Sequence, residues 1–177
     1  MRSIIMAATC LSLAACGGPK TNEAQNGVKP AKEASQALPP SMSPLSGDAA
    51  KHVMHERHEG METIGKANKA IRDELQKDKP DLALLETNAA KIASLSSEAS
   101  GWFHAGTGPE AGNTGAKPEI WQSPQDFETK LATFQADAHA FEIAAKGGDL
   151  RDIKTRLDTL GDSCKACHDK YRSKMHH

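Results

Sequence analysis

Asp149-Leu150-Arg151-Asp152-Ile153-Lys154-Thr155-Arg156-Leu157-Asp158-Thr159-Leu160-Gly161-Asp162-Ser163-Cys164-Lys165-Ala166-Cys167-His168-Asp169-Lys170-Tyr171 is the stretch from which the fold is read. Leu150, Ile153, Leu157, Leu160, Cys164, Cys167 and Tyr171 recur at three and four positions, the period of one helix face. Asp149 is a capping residue, and Asp152 adds a carboxylate at the electropositive end. The face that this helix would bury ends in two thiols with an imidazole beside them.

Cys164-Lys165-Ala166-Cys167-His168 has the spacing of an attachment site for a covalent c-type haem. Positions three apart share a helix face, so each thiol can form a thioether with one vinyl group of the same macrocycle. His168 then offers an imidazole nitrogen to the iron and leaves the opposite side for a distal ligand or none. Two other readings use the same residues. A structural zinc site wants four closed ligands, but the other cysteines, Cys10 and Cys16, stand at the extreme N-terminus. A redox dithiol usually opens a helix after a strand, whereas this pair falls late in a helical pattern.

The opening residues bear on compartment. Met1-Arg2 is followed by a mostly apolar run from Ile4 to Ala15, too short to span a bilayer as a mature anchor. It ends in Leu13-Ala14-Ala15-Cys16, similar to a bacterial lipoprotein signal, in which the cysteine receives lipid and becomes the mature N-terminus. The reading is a signal over residues 1–15, lipidation at Cys16, and a tether over residues 16–47. An ordinary signal peptide cut at the same small residues is the alternative. The tether is rich in Pro, Ala, Lys, Ser, Asn and Gly with no apolar period, and its r.m.s. span as a flexible chain is roughly 30 Å. Export agrees with the haem motif, since c-type haem is attached outside the cytoplasm in bacteria.

Residues 48–177 make one domain's worth of chain. The whole sequence is 38% hydrophobic and 4% aromatic with a formal net charge of −1, a balance that gives no footprint for nucleic acid. Few aromatics and no β-branched runs argue against sheet. A first helix capped around Ser46-Gly47-Asp48 carries Met54, Arg57, Met61, Ile64, Asn68, Ile71 and Leu75, and is expected to stop before Lys79-Pro80. Asp81 begins a second, with Leu82, Leu85, Ala89, Ile92 and Leu95 or Ser96 on one face. Residues 101–123 hold too many glycines and prolines for a helix interior. Ser123-Pro124, a capping residue before proline, starts a third helix that buries Phe127, Leu131, Phe134, Ala138 and Phe141 and stops at Gly147-Gly148. Four such helices with mostly short connections predict an all-α, antiparallel up-down bundle with the haem in its core.

With these residues in view, the chain resembles cytochrome c′, the class II c-type cytochromes, over most of residues 48–172. The most specific piece is the run from Gly161 to Arg172 around the haem motif. Gly106-Thr107-Gly108 and Lys117-Pro118-Glu119-Ile120-Trp121 resemble the family's stretch between helices two and three, and Arg57, Met61 and Ile64-Gly65 its first helix. The resemblance implies one haem c on Cys164 and Cys167, with His168 as the proximal ligand. It implies that Met61 faces the distal side of the iron, as ligand or as filler, and that Arg57 pairs with a haem propionate. Arg172, one turn past His168, would oppose protonation of the imidazole, and Trp121 would pack near the haem edge. It further implies electron transfer, binding of nitric oxide or carbon monoxide by a five-coordinate iron, and a homodimer through the first two helices. The lipoprotein signal and tether depart from the family, whose members are usually soluble periplasmic proteins. An enzyme such as a peroxidase would need a distal acid–base group, and the residue at that place is Met61. His52, His55, His58 and His104 read as solvated histidines, and His176 and His177 as a frayed end.

Overall fold

The computed structural model describes residues 44–174. The lipidation site Cys16, the signal and nearly all of the tether lie outside the described residues. Four long helices, α1 (Gly47–Glu74), α2 (Leu82–Glu98), α4 (Pro124–Gly147) and α5 (Leu150–Tyr171), carry the fold, with a four-residue helix α3 (Glu119–Gln122) between the second and third of them. Among the described residues the only β pairing is an isolated bridge between Ala116 and Arg172. No helix among them is long and apolar enough to cross a membrane.

Local chemistry explains most boundaries. Asp81 caps α2 through its carboxylate, which accepts from the N–H of Ala83 at 2.9 Å and of Leu84 at 3.3 Å. Asp149 does the same for α5 with Arg151 and Asp152. Between α4 and α5, Gly148 sits at φ 73°, a left-handed turn that glycine adopts without a Cβ penalty. α1 ends at Glu74, before Lys79-Pro80 as expected, and the Glu74 carboxylate accepts from Lys77 Nζ at 2.6 Å and from the Asp81 N–H at 2.8 Å, which closes the turn. Two expectations are corrected. Ser123 precedes α4 but makes no side-chain cap, since it also terminates α3 and gives its N–H to Glu119. The stretch after α2 is not wholly irregular: it opens with a 3-10 turn at Ala99–Trp102 and ends in α3.

Each long helix turns its apolar stripe inward. Ile64, Ala67 and Ile71 from α1 meet Leu85, Ala89 and Ile92 from α2, and Phe127, Leu131, Phe134, Ala138 and Phe141 from α4 meet Ile153, Leu157 and Leu160 from α5. Phe141 is fully buried, worth about 1.5–3 kcal/mol relative to exposure. At Gly60 the α1 backbone lets the Trp102 ring approach closely, and a Cβ there would stand 2.2 Å from it.

Contact around the ring of helices is uneven. α1 packs on α2, α2 on α4 and α4 on α5, but α5 scarcely touches α1. The ring is open at one seam. At the end holding the N-terminal half of α1 and the C-terminal half of α5, the loop of residues 99–122 folds over that seam. Lys117 N donates to Tyr171 O at 2.9 Å, Ser173 N to Gly115 O at 2.8 Å, and Leu45 N to Ala105 O at 2.8 Å.

Candidate functional site

The open seam encloses a cavity of about 830 Å³. α1 supplies Met54, Arg57 and Met61, α5 supplies Cys167, His168 and Tyr171, and Phe103, Ile120 and Phe127 form much of the remaining apolar wall. The ring of Phe127 meets Phe103 edge-on at 4.7 Å between centroids and Tyr171 at 5.2 Å, so the aromatic wall is fixed by mutual packing. Tyr171 is held in turn by Asp126, whose carboxylate accepts from its hydroxyl at 2.5 Å and from Lys170 Nζ at 2.9 Å. That cluster joins the first turn of α4 to the last turn of α5.

His168 is half-buried in the cavity wall. Burial, then the nearby Arg172 cation, hold its pKa below the usual imidazole value, which keeps a nitrogen lone pair available. Burial likewise raises both thiols, Cys164 to about 11. Cys167 lines the cavity, while Cys164, one turn earlier, packs against the hydrophobic core at its edge. Arg172 stands exposed at the mouth, and its N–H continues the helix by bonding His168 O at 3.0 Å.

Arg57 is 5% exposed. Its Nη1 donates to Trp102 O at 3.0 Å and Thr107 Oγ1 at 3.1 Å, and its Nη2 to Thr107 O at 2.8 Å and Thr114 Oγ1 at 3.0 Å. The guanidinium also lies 5.3 Å from the centre of the Phe103 ring. The structure therefore employs this arginine on the loop, a role the sequence did not suggest. Trp121 is not among the cavity-lining side chains. Its indole N–H donates to Phe103 O at 3.1 Å and His104 O at 3.0 Å, and its neighbour Ile120 faces the cavity instead.

Phe103, Thr107 and Thr114 have places in or behind the wall that no helix pattern assigned, and Phe127, expected only as core, is part of the wall. Thr107 lies within the Gly106-Thr107-Gly108 run, which is the one hint available. His52, His55, His58 and His104 are exposed. His58, Glu59 and Glu62 bring possible ligand atoms within 4.8 Å of one another, but Glu62 is already paired with Lys66 at 2.9 Å.

Two thiols and an imidazole on one face of α5, beside an aromatic-walled space between α5 and α1, suit a flat macrocycle held at its edge and ligated from one side. The family model described as Cytochrome C' matches residues 52–172. This chain belongs to the cytochrome c′ family. The cytochrome c′ of Alcaligenes xylosoxydans xylosoxydans is 38% identical over 94 residues, covering 53% of this chain and 71% of that protein. A solved cytochrome c′ described as having a ligand-controlled dimer dissociation superposes with a TM-score of 0.66 at 27% identity, over 75% of this chain and all of its own. The nitric oxide complex of a variant of the Alcaligenes xylosoxidans protein superposes at 0.65 with 28% identity, over 71% of this chain and 97% of its own. The fold is the cytochrome c′ four-helix bundle, and the cofactor of this family is covalent haem c.

Proposed function

We propose that Cys164 and Cys167 carry the haem, that His168 is its proximal ligand, and that the protein transfers electrons and binds small neutral gases at a five-coordinate iron. The observation that carries this reading is that Cys167, His168 and Met61 line one largely apolar cavity at the open α1–α5 seam. The haem supplies a one-electron couple and, when its sixth site is free, a place for a diatomic ligand. The chain does the rest. Burial and Arg172 keep His168 neutral, and the packed Phe103, Phe127 and Tyr171 rings hold the wall still, so a change of charge rearranges little. An apolar wall favours nitric oxide or carbon monoxide over anions, whose desolvation is costly. Nitric oxide bound to the related Alcaligenes variant supports this.

A second reading rests on Met61. Its thioether lines the same cavity as His168, and a Met61–iron bond would make a six-coordinate, low-spin electron carrier. At the place over the iron that the family resemblance gives to Met61, a thioether cannot serve the acid–base role that a peroxidase needs there. Periplasmic location, a lipid anchor at Cys16 and a homodimer through α1 and α2 complete the proposal.

One experiment separates the readings. The purified protein should keep its haem through denaturing electrophoresis, and its ferric spectrum should not be low-spin, with carbon monoxide shifting the ferrous spectrum at once. Haem released into acidified organic solvent would remove the attachment. An iron–methionine charge-transfer band would give the site to Met61.

A further inference from the structure

α1 carries a repeat that the proposed function does not use. His-x-x-x-Glu occurs three times within eleven residues, as His52–Glu56, His55–Glu59 and His58–Glu62. Positions four apart on a helix are neighbours, so each imidazole stands beside a carboxylate, and His52 lies 3.4 Å from Glu56. The three copies are not equivalent. In the last, one ligand-bearing atom each from His58, Glu59 and Glu62 lies within 4.8 Å of the other two, and no other such trio occurs among the described residues. His55, one turn before, shares with His58 the wall of a second cavity of about 390 Å³. Lys66 is the competitor for this cluster. Its Nζ lies 2.9 Å from Glu62 Oε1 and holds that carboxylate below its usual value, an effect to which His58 adds. Both ends of the pair are exposed, Lys66 by 71% and Glu62 by 47%, and an exposed ion pair is easily given up.

We propose that His58, Glu59 and Glu62 form a surface site for a divalent first-row transition cation of the zinc or copper kind. Two carboxylates bring negative charge and the imidazole a nitrogen donor, a set that zinc accepts with water in the remaining position. The nitrogen selects against magnesium and calcium, which take oxygen ligands. Bonds of about 2.0–2.2 Å place ligand atoms about 3–4 Å apart, so small rotations of three exposed side chains close the trio on one ion. All three residues come from little more than one turn of α1. The site therefore needs no other element and does not rest on the haem assignment. His58 and Glu62 also belong to the lining of the larger cavity, which puts the ion at the rim of the open seam.

The test uses the full chain as purified and reads His58 itself. Histidines are carbethoxylated at increasing zinc concentration, and each is followed by peptide mass spectrometry. Zinc should protect His58 and leave His104, exposed on the loop, as reactive as before. Magnesium at the same concentration should protect neither. The zinc concentration that half-protects His58 then measures the site in variants. Losing a group that merely hydrogen-bonds to a metal ligand costs about 10–100-fold in affinity, so losing a direct ligand should cost no less. Glu59→Gln and Glu62→Gln should each raise the midpoint by at least about tenfold on that ground. Glu128→Gln, which removes an exposed carboxylate from α4, should leave it in place. His58 modified equally with and without zinc overturns the site, and this arm needs no variant, so it holds even where a substitution disturbs α1. A midpoint unmoved by both α1 substitutions, or moved as far by Glu128→Gln, means an adventitious ion only and overturns it too. Equal protection by magnesium overturns the choice of cation.

Discussion

At the scale of single residues, the cavity is sensitive to groups whose importance is steric. Gly60 shows it most plainly. In an exposed helix, Gly→Ala gains about 0.5–1 kcal/mol from backbone entropy. Here a Cβ would stand 2.2 Å from the Trp102 ring, and forcing an atom into packed space costs about 1–3 kcal/mol. Gly60→Ala should therefore lower the denaturation midpoint, contrary to its helix propensity, as a urea titration followed by circular dichroism will show. Met61 makes the complementary case. If its side chain only fills space over the iron, Met61→Ala should speed carbon monoxide binding severalfold and leave the resting spin state as it was, measured by stopped-flow and absorption spectroscopy. Loss of a low-spin spectrum in the variant would instead make Met61 a ligand. The motif Cys164-Lys165-Ala166-Cys167-His168 was legible because its chemistry is written within five consecutive positions. Thr107, Thr114 and Phe103 were not, because what they do depends on Arg57, some fifty residues earlier in the chain.

At the scale of elements, helix identity was readable from period and caps, and the ends were readable only where the cap is local. Asp81 and Asp149 act within three residues of themselves, and both starts were found. Proline at position 80 gave the stop of α1 its outer limit, while its last residue is set by a side chain reaching seven residues forward, from Glu74 to the Asp81 N–H. Ser123 serves two helices at once, which no reading of one helix start would reveal. The joint between α4 and α5 gives a test with a defined sign. Asp126 is held below the usual carboxylate value by the Tyr171 hydroxyl and by Lys170. A depressed carboxylate contributes stability above its unfolded pKa and loses it as pH falls through the folded value. Asp126→Asn should thus be less stable than the wild type by a constant margin from neutral pH down to about pH 4. The margin should shrink below that, measured as denaturant midpoints across pH. A margin independent of pH to the acid limit would mean that the carboxylate's charge is not what holds the joint.

At the scale of the whole molecule, the bundle was legible from four stripes and short connections, but its open seam was not. An apolar stripe says that a face is covered, and it does not say whether protein or a flat cofactor covers it. Assembly belongs to this scale as well. If α1 and α2 form a homodimer, sedimentation at high concentration should give a dimer, and a related cytochrome c′ whose dimer dissociates under ligand control suggests adding carbon monoxide to the run. If Cys16 carries a lipid anchor, a Cys16→Ser variant should leave the membrane fraction while keeping its spectrum, since Cys16 stands far in the sequence from the haem motif. The state of the two thiols carries one last consequence, for biogenesis. A thioether forms when a thiol adds across a vinyl group, and the reactive species is the thiolate. In the closed bundle burial pushes the Cys164 thiol up to about 11 and raises the Cys167 thiol as well, each residue being partly buried. The folded chain is then a poor substrate for its own maturation. If Cys164 and Cys167 carry the haem, thioether formation should therefore run faster on the unfolded chain than on the closed bundle, measured by adding haem to the apoprotein with and without denaturant.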